Sequence, residues 1–245
     1  MATQRALLIG NSRWHWAERH QTEQHQAERH QSQWRFDHTA PDPQRLGSAP
    51  LVWAAVGPIP AQLVDEPGRP RIKLQDIPLA GCPPWLGVDR ALGAWEAWRR
   101  EQRSGSNGER GLLLADAGTV LSLTLLDGRG CFQGGQLIPG LGLQLRSMGH
   151  GTALLPRQVR GDQLPRDLFP VATADAMVRG VIQAMVALIQ DAQRSSGASL
   201  WLCGGDAPLL ETQLSGRGVT YRAGPCLQLE AMVQLMDQIN PGRDH

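Results

Sequence analysis

Two related α/β domains are the fold this sequence predicts, and three observations predict it. A short apolar strand opens the first half and runs into Gly10-Asn11-Ser12, and a second opens the other half and runs into Asp116-Ala117-Gly118-Thr119. Buried strands alternate with amphipathic helices in each half. A flexible polar connector over residues 102–109 separates the halves, giving domains of 1–105 and 106–245. Ligands in such folds sit at the carboxyl ends of strands, where both small-residue turns lie.

The elements follow in order. Ala6–Ile9 is a buried strand that ends at a turn. Over 14–38, Ala-Glu-Arg-His-Gln occurs at 17–21 and again at 27–31, and His15, His20, His25 and His30 recur every five residues. A histidine metal site and a polar surface excursion compete for this stretch. Five residues turn a helix by roughly 140° beyond a full circle and flip a strand to its other face, so the spacing favours the surface excursion. Residues 40–50 and 57–84 are rich in Pro and Gly and flank an apolar strand at Leu51–Val56. Arg90–Arg103 reads as a helix with Leu92, Trp95 and Trp98 on one face, as core packing. Gly111–Ala115 and Ser122–Leu126 read as strands, with Asp127-Gly128 as a turn before Cys131-Phe132. A helix over 175–194 carries Met177, Val181, Met185 and Leu188 along one stripe. Ser199–Cys203 is a strand into Gly204-Gly205-Asp206, and a last helix buries Leu229, Met232, Val233 and Met236.

Composition excludes several functions. The 245 residues are 41% apolar and 19% charged, and 24 basic side chains against 23 acidic leave a formal charge of +1. That balance suits a globular protein and supplies no bulk field for nucleic acid or anionic lipid. Of the basic side chains 23 are Arg and one, Lys73, is Lys. Lys73 lies between Ile72 and Leu74, so a Walker A loop, whose lysine follows its glycines, is excluded. Cys82, Cys131, Cys203 and Cys226 form no zinc spacing. No apolar run has transmembrane length, and the tetrad Ala6–Ile9 is too short for a signal peptide, so a reduced cytoplasmic protein without a membrane partner is expected.

Three groups could carry chemistry. Glycine lets a backbone amide approach a phosphate and Ser or Thr adds a hydroxyl, so Gly10-Asn11-Ser12 and the turn ending at Thr119 suit a phosphate clamp as well as ordinary turns. Asp116, at a strand end, could hold a metal ion that bridges phosphates. Gly87-Val88-Asp89-Arg90 admits two readings. Asp89 either caps a helix beside a surface Arg90, or acts as general base for a hydroxyl while Arg90 clamps an anion.

Gly10-Asn11-Ser12, Gly87–Arg90 and Asp116–Thr119, taken in order, resemble the type III pantothenate kinase family. Phe132-x-Gly-Gly-x-x-x-Pro-Gly-Leu141 and Thr152-Ala-x-Leu-Pro156 are similar to that family's most recognisable block. Phe169-Pro-Val-Ala-Thr173 and Trp201-Leu-Cys-Gly-Gly-Asp-Ala207 continue the resemblance. It is weak over 14–80 and strong over 84–207. The resemblance implies two duplicated ribonuclease-H-like (actin-like ATPase) domains with a cleft between them, in the acetate and sugar kinase, heat-shock and actin superfamily. It implies ATP-dependent phosphorylation of pantothenate, the first step of coenzyme A biosynthesis, by a cytoplasmic homodimer using a divalent cation (Mg²⁺) and a monovalent one (K⁺ or NH₄⁺). Leu8, Ile9, Gly10, Asn11, Ser12, Arg13, Trp14 and His15 would form the first ATP segment. Gly87, Val88, Asp89 and Arg90 would bind pantothenate, with Asp89 accepting the proton. Asp116 would bind the monovalent cation, Thr119 would contact ATP, Thr173 would contact pantothenate near the dimer interface, and Gly204 and Gly205 would lie by the adenosine.

One departure stands out. The family's first motif usually reads Asp-x-Gly-Asn-Thr/Ser, and its Asp position is Leu8 here. A leucine cannot orient a hydrated Mg²⁺. Either Asp116 carries the metal work alone, or the chain is a degenerate ligand-binding or regulatory relative. A phosphohydrolase in which Asp89 activates water is the third reading.

Overall fold

β1 (Thr3–Ile9) pairs antiparallel with β2 (Trp14–His20), which pairs antiparallel with β3 (Arg35–Thr39). β4 (Val52–Ala55) joins the other side of β1 in parallel, so the first sheet has the order β3-β2-β1-β4. These strands belong to a computed structural model that describes residues 3–20, 34–47, 51–64, 66, 68–105, 110–159 and 161–239. The chain divides into two units, Met1–Glu96 with Cys226–His245, and Ala97–Pro225.

In the first unit, Leu7, Ile9, Trp14, Trp16 and Trp53 pack together with Leu46, Leu51 and Leu63. Two guanidiniums lie over the Trp16 ring, Arg5 at 4.7 Å and Arg45 at 4.6 Å from its centroid. Both cations are anchored. Arg5 Nε donates to Glu18 Oε1 at 3.0 Å, and Arg45 donates to Asp37 Oδ2 at 2.6 Å and to Glu18 Oε2 at 3.1 Å. The expected surface excursion over 14–38 is corrected at both ends, because β2 and β3 occupy them and bury Trp14 and Trp16. Their polar residues build a charged lattice around a buried indole. His25, His30 and the second copy of the repeat at 27–31 lie outside the described residues. α1 (Val88–Arg103) starts two residues earlier than expected, and α5 (Leu227–Ile239) packs on β1 and β2. Gln234 Nε2 donates to the buried Glu96 Oε2 at 2.8 Å, tying α5 to α1.

The second sheet has the order β7-β6-β5-β8-β9, from β5 (Leu112–Ala117), β6 (Val120–Leu126), β7 (Phe132–Pro139), β8 (Ser199–Cys203) and β9 (Arg222–Ala223). β5, β6 and β7 are antiparallel, whereas β8 and β9 run parallel to β5. Strict alternation of strand and helix is therefore corrected in both units: three antiparallel strands come first, and each sheet is mixed. α2 (Leu141–Gly151), α3 (Thr173–Ser196) and α4 (Ala207–Gly216) complete this unit. α3 buries Met177, Val178, Val181, Ile182, Met185, Val186 and Ile189, an i, i+4 stripe, against the sheet. It stops at Gly197, whose φ of 64° is a left-handed cap and whose N–H returns to Gln193 O at 2.8 Å.

Candidate active site

The first turn is built by close backbone packing. Gly10 N donates to Arg13 O at 3.0 Å, closing the link from β1 to β2. Ile9 O accepts from Val56 N at 2.9 Å and Gly57 N at 3.1 Å, which draws the end of β4 against the turn. A Cβ at Gly57 would overlap the Gly10 carbonyl, so only glycine fits this approach. Asn11, Ser12 and Arg13 are exposed at the tip. Leu8, Ile9 and Trp14 are buried; their side chains hold the turn from below.

Asp89 lies in the same unit, in the first turn of α1. Its Oδ1 accepts from Arg90 N at 2.8 Å and stands 2.6 Å from where a Gly87 Cβ would be, so the carboxylate folds back over a glycine. Val56 Cγ1 lies 3.7 Å from that same point. Val56 and Gly57 thus connect the two motifs, one touching Gly87 and the other Gly10. Burial raises the Asp89 carboxyl above the usual aspartate range, opposed by the Arg90 backbone N–H and the Arg90 charge. A carboxyl tuned upward by burial is suited to proton transfer. Val88 beside it is buried, and Arg90 is half-buried.

In the second unit, Asp116 sits half-buried near the end of β5, with Gly118 and the exposed Thr119 in the turn to β6. Two glycines press on this turn. Gly140 N donates to Thr119 O at 2.9 Å, and a Cβ on Gly140 would overlap the Gly118 carbonyl. Gly204, at φ 95°, leaves no room for a Cβ against the Ala117 backbone, and Asp206 N donates to Ala117 O at 2.8 Å. Asp116, Thr119, Gly204 and Gly205 therefore share one end of the sheet. Thr173 is exposed as the first residue of α3.

Gly10–Ser12 and Gly87–Asp89 adjoin through Val56 and Gly57 in the first unit, Asp116–Thr119 and Gly204 adjoin in the second, and Thr173 stands apart at the start of α3. Motif reading missed Gly57 and His38. Gly57 carries no chemistry of its own; its signal was a glycine directly after a buried strand. His38 lies directly across from His15 on the neighbouring strand, a pairing that spacing along one element does not reveal.

Mixed sheets with glycine-built turns at the strand ends, and a half-buried carboxylate on the helix beside one of them, define an α/β protein with two candidate anion-binding turns. Comparison with known proteins specifies it further. The family model described as type III pantothenate kinase matches residues 72–195. A type III pantothenate kinase from Synechococcus elongatus is 35% identical over 85% of this chain and 87% of its own length. One from Thermosynechococcus vestitus is 34% identical, over 85% of this chain and 80% of its own length. The fold also matches a crystal structure described as a Baf family transcriptional activator from Campylobacter jejuni, with TM-score 0.65 and 18% identity over 97% of this chain and 98% of that one. A 2-dehydro-3-deoxygalactonokinase structure from Sinorhizobium meliloti gives TM-score 0.59 and 12% identity over 99% and 98%. The chain belongs to the type III pantothenate kinase family.

Proposed function

We propose that the chain transfers the γ-phosphoryl group of ATP to the primary hydroxyl of pantothenate, with Asp89 as the base, in the first step of coenzyme A biosynthesis. Family membership supports the reaction, and the observation that carries the residue assignment is Asp89, a half-buried carboxylate joined through Val56 and Gly57 to the Gly10–Ser12 turn. Phosphoryl transfer needs positioning and charge neutralisation more than covalent help. The exposed tip of the first turn offers backbone amides and the Asn11, Ser12 and Arg13 side chains to phosphate oxygens, with His15 behind it. Gly87, Val88 and Arg90 bind pantothenate, and Asp89 takes the hydroxyl proton as the new bond to phosphorus forms. Thr119 contacts ATP, and Gly204 and Gly205 lie by the adenosine.

The donor set fits a cation carried largely by phosphate. Among the described residues no three His, Cys, Asp or Glu side chains group as a metal cage. Asp116 offers a half-buried carboxylate at the strand end that would hold Mg²⁺, or K⁺ or NH₄⁺, beside the phosphates. A cation bound there would supply neutralisation of phosphate charge. Leu8 lends it nothing, so Asp116 carries this role alone.

The finer parts of the proposal are a homodimer, a cytoplasmic location and two duplicated ribonuclease-H-like halves. The shared order of the sheets, third, second, first and fourth strand in both units, supports the duplication. Phe169 and Val171, 86% and 102% exposed just before Thr173, support a second copy at that surface. No described helix is long and apolar enough to cross a membrane.

A coupled assay of ADP release with and without pantothenate tests the reaction. Pantothenate-dependent ADP is expected. Pantothenate-independent ADP would mean a phosphohydrolase, and no ADP at all a non-catalytic relative.

A further inference from the structure

Leu8, His15 and His38 stand opposite one another on β1, β2 and β3, so their side chains line one face of the first sheet. His15 Nδ1 and His38 Nδ1 are 2.7 Å apart, with the rings edge-on at 69°. Two neutral imidazoles at this distance share one hydrogen: one ring donates from Nδ1 and the other accepts at Nδ1. The far nitrogen of His15, Nε2, lies 3.3 Å from where a Gly10 Cβ would begin, and the Arg13 carbonyl oxygen lies 2.8 Å from the same point. The ring therefore sits directly beneath the Gly10–Arg13 turn.

The shared hydrogen decides what His15 offers that turn. If His15 donates it, Nε2 is a bare lone pair beside the turn and would repel a phosphate oxygen held there. If His38 donates it, Nε2 carries a hydrogen and can donate to that oxygen. Leu8, directly across on β1, has no acceptor to take that hydrogen.

We propose that His38 is a positioning residue for the nucleotide: its Nδ1 hydrogen, donated to His15 Nδ1, holds His15 as the Nε2–H tautomer and presents that hydrogen to a phosphate oxygen at the Gly10–Ser12 turn. The inference rests on reading Gly10–Ser12 as a nucleotide-phosphate segment. The surrounding charges agree with it. Burial, His38 and the Arg13 guanidinium bring His15 down to about 4, and burial and Arg13 also lower His38, against the opposing pull of Asp37. Both rings are neutral near pH 7, as the shared hydrogen requires.

The tautomer is directly measurable by long-range ¹H–¹⁵N NMR of the full ¹⁵N-labelled chain at neutral pH, alone and with a non-hydrolysable ATP analogue. His15 should be protonated on Nε2 and bare on Nδ1, with His38 protonated on Nδ1. The analogue should move the His15 Nε2–H signal together with the Gly10–Ser12 amides. In kinetics, His38→Ala should raise KM for ATP by about tenfold and leave KM for pantothenate unchanged, while His38→Asn, whose amide still donates, recovers most of the loss. His15 protonated on Nδ1, or on both nitrogens, overturns the proposal. An analogue that moves the Gly10–Ser12 amides without moving His15 Nε2–H overturns it and leaves the phosphate segment standing. An analogue that binds and moves neither removes the nucleotide reading of that segment, and the proposal with it.

Discussion

Gly57 lies against Gly10 so closely that any side chain at position 57 would overlap the Gly10 carbonyl oxygen. The second unit holds a matching pair, in which Gly140 stands in the same relation to Gly118. Each of these turns is thus set by a glycine from another strand end. Neither Gly57 nor Gly140 has a positive φ, and Gly140 is at φ −70°, so alanine fits their backbone and fails only on space.

Gly57→Ala should therefore displace the Gly10–Ser12 turn rather than unfold the chain. Overpacking of this kind costs about 1–3 kcal/mol, and KM for ATP should rise about tenfold. Gly140→Ala should act in the same direction through Thr119. Steady-state kinetics beside thermal melting checks both, and an unchanged KM for ATP in either folded variant would remove its glycine from the account.

The pH dependence follows from Asp89. Burial raises its carboxyl, so the folded chain keeps this proton at pH values where an unfolded chain has lost it. Activity needs the carboxylate, and the acid limb of kcat/KM for pantothenate should fall above the usual aspartate range of about 4. The stability contributed by the protonated group is lost as pH rises through the same interval. A pH–rate profile flat down to that range would rule out a raised base.

His15 acts in the opposite direction. Its value of about 4, against 6.5 for an ordinary histidine, means that the unfolded chain binds a proton more readily than the folded one. Thermal stability should fall as pH drops from about 6.5 to 4, and less so in His15→Gln. Equal pH slopes for the two proteins would contradict a half-buried His15 held neutral in the folded chain.

Much of the fold was legible in the sequence because burial writes itself as apolar runs. β1, β4, β5, β8 and α3 are such runs. β2 and β3 were not legible, since Arg5, Glu18, Asp37 and Arg45 satisfy one another around Trp16 and so place charge where alternation would show apolar residues. β9 is two residues long, too short for any periodicity. In the site, Asp89, Asp116 and the two turns stood out by residue type. Gly57 and His38 did not, because packing distance and cross-strand register are properties of the folded sheet.

Leu8 stands where the family resemblance leads one to expect an aspartate, and it is packed inside the first sheet. It is 5% exposed, between His15 and Ala54 on the neighbouring strands. Leu8→Asp would bury a carboxylate there and should lower Tm by about 5 °C or more while changing turnover less than about threefold. An inert wild type rescued by Leu8→Asp would identify the chain as a decayed kinase.

Asp116→Ala should abolish activation by potassium or ammonium and raise KM for ATP. Titration of the monovalent cation against rate, in wild type and variant, checks this. Wild type equally active with no added monovalent cation would remove that role from Asp116.

Asp89 as the proton acceptor is the central claim, and turnover of Asp89→Asn, measured beside its pantothenate affinity, tests it most directly. Asparagine keeps the shape over Gly87 and cannot accept the hydroxyl proton. Turnover should fall by about 100-fold or more with pantothenate binding largely intact. Near-normal turnover in the folded variant would contradict the account and leave Asp89 as a helix cap.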